Sequence, residues 1–70
     1  MTAVRTEVAG SVWKVEVSVG QAVAAGDALV IVESMKMEIP VEAPAAGTVA
    51  EIRVAEGDRV AEGAIVVTLA

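Results

Sequence analysis

The sequence predicts an all-β domain of two halves that cover each other's apolar faces about a pseudo-twofold axis. Three observations carry this. The apolar set is dominated by 15 valines and 14 alanines among 70 residues, with one aromatic residue, Trp13. Branched Cβ atoms pack well on a pleated surface, and alanine lets neighbouring layers approach closely. Residues 10–26, GSVWKVEVSVGQAVAAG, return as residues 47–63, GTVAEIRVAEGDRVAEG, at a gapless offset of 37. An apolar strand follows each copy, ALVIVE in one half and AIVVTLA in the other. Two copies are too few for a solenoid, which needs about three or more.

The predicted strands are 2–7, 11–18, 22–23, 28–34, 37–42, 48–55, 59–60 and 65–69. Strand 11–18 alternates, with Val15, Val17 and then Val19 on one face and Lys14, Glu16 and Ser18 on the other. The alternation fails between Val12 and Val15, which marks a bulge or a strong twist. Strand 48–55 is its repeat. The short strands 22–23 and 59–60 are bracketed by Gly20 and Gly26 and by Gly57 and Gly63, where turns need φ > 0. The segment AEGDRVAEGA contains helix formers, but two glycines, an aspartate and no apolar stripe favour strand–turn–strand. Trp13 aligns with Ala50 and is expected to be a core plug that breaks the symmetry, in preference to a partner contact. The whole chain, 1–70, reads as one domain, its half-repeats 10–26 and 47–63 joined by a hairpin over 29–42.

Composition narrows the function. There is no cysteine and no histidine, so the thiolate nucleophile and the commonest general base and metal ligand are missing. A net charge of −5 argues against nucleic acid or an anionic membrane as partner. The start, MTAVRTEVAG, lacks the apolar core of a signal peptide, and the run ALVIV is too short to span a bilayer. The expected location is the cytoplasm. The acids are scattered, with no spacing that forms a metal site or a catalytic pair.

The joining hairpin breaks the rules that the rest of the chain obeys. Its centre, Glu33-Ser34-Met35-Lys36-Met37-Glu38, has no Gly, Asn, Asp or Pro. If it folds at Met35-Lys36, then Ser34 faces Met37, Glu33 faces Glu38 and Val32 faces Ile39. A two-residue loop calls for φ > 0 at one or both central residues, usually Asn-Gly. Paired glutamates add like-charge repulsion. Local rules fail most often at functional sites. The tip pushes Lys36 away from the core. A lysine that works as its own protein's nucleophile needs burial or a cationic neighbour, and the sequence supplies neither. The amine is presented to something else.

SMKM between two Gly-containing β half-repeats resembles the biotinyl, or biotin carboxyl carrier, domain family. The likeness covers essentially the whole chain. The family motif is usually AMKM preceded by Glu; here Ser34, also small, stands for the Ala. Ala43-Pro44 precedes the second half-repeat as in the family, whereas the first half reads Val8-Ala9-Gly10. The gapless repeat leaves no room for the protruding thumb of some bacterial members. A chain running from Met1 to Ala70 is similar to the short single-domain biotinylated proteins of some bacteria, and a trimmed domain would look the same.

The resemblance implies a flattened barrel, or sandwich, of two four-stranded antiparallel sheets with quasi-twofold symmetry, like biotinyl and lipoyl domains. It implies biotin attached covalently to Lys36 by a biotin protein ligase that recognises Met35 and Met37. Ser34 lies within the same recognition motif. Glu33 and Glu38 are either solvated edge charges or an acidic surround that orients the tip. It further implies a non-catalytic carrier that moves CO2 between a biotin carboxylase and a carboxyltransferase, monomeric when isolated. A tethered cofactor meets its sites at an effective concentration of roughly millimolar. Two alternatives stand beside this. A lipoyl carrier would usually place an acidic residue just before the lysine, and an unmodified structural β module would lack the MKM tip.

Overall fold

The computed structural model describes all 70 residues and contains eight strands and no helix. They are β1 (Thr2–Arg5), β2 (Gly10–Val15), β3 (Ala22–Val23), β4 (Ala28–Ser34), β5 (Met37–Glu42), β6 (Gly47–Ile52), β7 (Arg59–Val60) and β8 (Ile65–Leu69). They form two four-stranded antiparallel sheets, β1-β8-β6-β3 and β5-β4-β2-β7.

The offset of 37 governs far more of the backbone than the 17-residue repeat visible in the letters. Adding 37 carries β1 onto β5, β2 onto β6, β3 onto β7 and β4 onto β8, and so one sheet onto the other in the same strand order. Strand irregularities obey the same operation. The ladder slips between Val12 and Lys14 against β4, and between Val49 and Glu51 against β8. It slips again between Val4 and Arg5, and between Ala28 and Val30, which is the same step seen from the partner strand. Even the exposed ion pairs correspond with charges exchanged: Lys14–Glu16 at 3.8 Å and Arg53–Glu51 at 3.3 Å. At the surface such pairs add little stability.

The core is built from twins. Val4 and Val41, Val12 and Val49, Leu29 and Val66, Val30 and Val67, and Val32 and Leu69 are all buried between the sheets. Burial of a branched side chain contributes about 1.5–3 kcal/mol, which such a small domain needs. One twin pair departs in chemistry. Ala43 is buried, and its counterpart Thr6 is buried too, with its hydroxyl donating to the Val8 carbonyl at 2.8 Å and accepting from the Val8 N–H at 3.2 Å. The hydroxyl therefore carries no unsatisfied cost.

Two predicted strands stop early. Strand 11–18 ends at Val15 and strand 48–55 at Ile52. Beyond these points the chain leaves its sheet to reach the opposite one, since β2 and β3 belong to different sheets, as do β6 and β7. The side-chain alternation carries on only as far as Val17, which turns into the core, while Val19 is exposed. The crossings close with matched four-residue turns. Gln21 N–H donates to Ser18 and Asp58 N–H to Ala55, with Gly20 and Gly57 at φ 92° and 93°.

Trp13 is not the core plug expected from its alignment with Ala50. It is 49% exposed. It is the extra residue of the bulge between Val12 and Lys14, and Val12 takes the inward position there. Its twin Ala50 is likewise the extra residue of a bulge and is not part of the buried core.

The ladders also fix the two ends of the barrel. Ser11 pairs with Glu33 beside the turn that joins β4 to β5. Far from that turn, Ala28 pairs with Glu42, and the Ala43 carbonyl accepts from Gly26. β6 starts there at Gly47, next to Val23 and Ala70. Thr2 and Leu69 are ladder partners at this far end. The domain measures 30 × 18 × 18 Å.

Candidate modification site

The tip follows the register read from the sequence: Ser34 faces Met37, Glu33 faces Glu38 and Val32 faces Ile39. Met35 and Lys36 sit at the apex with φ of 53° and 65°. Positive φ at both central residues is the mark of a type I′ turn, whose twist suits a hairpin. These are the only two residues other than glycine with positive φ in the protein. Each bears a Cβ there at a cost of roughly 1–2 kcal/mol. Replacing Met35→Asn together with Lys36→Gly should therefore raise stability by about 1–2 kcal/mol. Urea denaturation measures this, and an unchanged midpoint would show that the tip is unstrained.

Lys36 is exposed, and its amine takes part in no ion pair or side-chain hydrogen bond. Met35 is 92% and Met37 63% exposed, so neither thioether fills the core. Glu33 and Glu38 are exposed as a cross-strand pair, and Ser34 is half-buried at the base of the turn. The one surface groove, about 320 Å³, lies between β1 and β5, lined by Arg5, Glu7 and residues 39–44. It does not include the tip. No set of three acidic, His or Cys side chains converges to hold a metal. An open primary amine on a short rigid turn fits a group attached through an amide, because another protein can surround it on every side.

Gly10 supports the site and was not singled out from the sequence. A Cβ there would overlap the Glu33 carbonyl oxygen and lie 3.0 Å from the Glu33 carbonyl carbon and from Val32 Cγ1. β2 thus presses backbone to backbone on the strand that ends in the tip. The signal was present: Gly10 recurs as Gly47, yet neither has positive φ. A repeated glycine with ordinary φ marks close approach rather than a turn.

Comparison with known proteins now adds to this geometry. The family model described as "Biotin-requiring enzyme" matches residues 1–69. The chain is 44% identical to a "Biotin/lipoyl attachment protein" of Bacillus subtilis (strain 168) over 66 residues, covering 94% of this chain and 90% of that protein. It is 46% identical to a "Biotinylated protein TB7.3 homolog" of Mycobacterium leprae (strain TN), covering 94% and 93%. In the crystal structure of the Kluyveromyces lactis urea carboxylase, a region 36% identical superposes with a TM-score of 0.95 over 99% of this chain and 6% of that one. The chain belongs to the biotin-requiring family, as a domain of the biotin carboxyl carrier type. Homologous domains are built into biotin-dependent carboxylases.

Proposed function

We propose that this chain carries biotin on Lys36 and serves as the non-catalytic carrier of a biotin-dependent carboxylase system. The observation that carries the reading is a single unpaired amine at the apex of a strained type I′ turn, at the end of the barrel opposite both chain ends. A ligase would join the biotin carboxylate to Nζ as an amide while ATP is cleaved to AMP and pyrophosphate, the carboxylate oxygen leaving on the AMP. Once bound, biotin supplies a ureido nitrogen that takes up and releases CO2 in partner active sites. The protein's own part is to present the group: a stiff hairpin fixes the attachment point, and the side chain supplies the reach.

Met35 and Met37 are the apolar contacts offered to the ligase, since both project from the tip. Glu33, Glu38 and Ser34 complete the recognised surface. Methionine on both sides of the lysine, in place of an acidic residue before it, favours biotin over lipoate. The sheet edges support a monomer when the chain is isolated. Of the four edge strands, β3 and β7 have two residues each, β5 carries Pro40 and β1 has four residues ending in Arg5, so the open ladder left to pair with a second copy is short.

The test is the intact mass of the purified chain after incubation with ATP and either of two ligases. A biotin protein ligase with biotin should add one biotin. A lipoate ligase with lipoate should add nothing. Lipoylation without biotinylation would reverse the assignment.

A further inference from the structure

The internal twofold supplies a control that few small domains offer. Each outward-facing residue of one sheet has a twin on the other, held on an equivalent ladder. On the sheet that bears the tip, Trp13, Ile31 and Pro40 occupy neighbouring positions: Ile31 pairs with Pro40 on one side and with Lys14, next to Trp13, on the other. Trp13 is 49% exposed, Pro40 is exposed and Ile31 half-buried. Their twins on the other sheet are Ala50, Thr68 and Ala3. The same backbone is therefore built with small or polar residues in these places, and folding does not require the bulk.

We infer that the outer face centred on Trp13, Ile31 and Pro40 is a docking surface for the ligase that acylates Lys36. The inference rests on the reading of Lys36 as the modified residue. The tip alone offers six residues, Glu33 to Glu38, whereas a specific interface takes about 800 Å² from each partner. More of the domain must touch the ligase. The patch spans β2, β4 and β5, of which β4 and β5 form the tip, and is continuous with the tip across the Glu33–Glu38 rung. An exposed tryptophan beside Ile31 and Pro40, with Lys14 and the Glu33–Glu38 pair as a charged rim, has the character of an interface anchor. The ligase is favoured over a carboxylase as occupant. A carboxylase site needs to reach only the far end of the lysine–biotin arm, whereas the ligase must bring its active site to Lys36 Nζ itself, at the apex next to this face.

The experiment replaces each residue by its own twin, Trp13→Ala, Ile31→Thr and Pro40→Ala, and follows biotin incorporation by a purified biotin protein ligase. Trp13→Ala should raise the KM for the chain about tenfold and leave kcat within about twofold, with an unchanged circular dichroism spectrum. The control Ala3→Ser, on the opposite face, should change neither. A KM within twofold of wild type for folded Trp13→Ala would overturn the proposal. Should that variant not fold, the wild-type chain labelled with 5-fluorotryptophan decides the matter. Its single ¹⁹F resonance should shift or broaden on addition of ligase, and a resonance unmoved at saturating ligase would overturn the docking role. Failure of the ligase to acylate wild-type chain at all would overturn the Lys36 reading instead, and this inference with it.

Discussion

Lys36→Arg is expected to abolish biotin attachment outright while leaving the barrel as stable as before. The guanidinium keeps the charge and most of the stem, so any effect of charge alone is preserved. It is protonated at all relevant pH values and offers no free amine to an activated acyl group. Lys14 is the only other lysine. It lies in β2, tied to Glu16 at 3.8 Å, on a strand and not at a turn apex. Intact mass after coexpression with a biotin protein ligase should show one biotin on wild type and none on Lys36→Arg. Biotin retained on the variant would move the site to Lys14 or the N-terminus and remove the functional meaning of the tip. Met35→Ala and Met37→Ala, with Lys36 in place, should slow the reaction without stopping it, because they change recognition and leave the acceptor intact.

Gly10→Ala should be the most damaging single-methyl change in the protein. The added Cβ meets the backbone of Glu33 and the side chain of Val32. Main chain held by strands on both sides, as Glu33 is by Ser11 and Glu38, cannot swing aside as the end of a side chain can. Overpacking of this kind costs about 1–3 kcal/mol, with the upper end expected where backbone is the obstacle. For a domain of this size each kcal/mol lowers Tm by about 4–8 °C, so a fall on the order of 10 °C or more should appear in a thermal melt followed by circular dichroism. The twin substitution Gly47→Ala is the control. Its nearest neighbour is the Ala70 carbonyl oxygen at 3.0 Å, beyond the end of β8, where the chain can yield. A loss of about 1 kcal/mol or less is expected there. Equal losses at the two sites would show that the close approach to Glu33 is not the cause. Gly10→Ala should also slow biotin attachment in the fraction that remains folded, since any shift of Glu33 is passed two residues along to the turn.

The architecture was largely legible because strand pattern and repeat point the same way. Eight predicted strands correspond to eight observed ones, and the break in alternation after Val12 is a bulge in both halves. The tip was legible for the opposite reason: Met35-Lys36 violates turn preferences that Gly20 and Gly57 respect. What the letters did not show were effects of the third dimension. β2 and β6 were drawn too long, because periodicity cannot see where a chain leaves one sheet for the other. Trp13 was placed inside, because size and hydrophobicity favour burial on average, whereas a bulge decides the matter one residue at a time. Gly10 went unnoticed, because close backbone approach leaves no mark in hydropathy.

Thr2 and Leu69 stand opposite each other across a ladder, at the position that the twofold makes equivalent to the hairpin beneath the tip. Paired Cα atoms in such a ladder are about 4.5–5.5 Å apart. A host polypeptide could thus enter and leave this unit through a gap no wider than one of its own surface loops. Splicing it into an unrelated enzyme would not pry that enzyme open, and the Lys36 amine would always emerge on the side facing away from the splice.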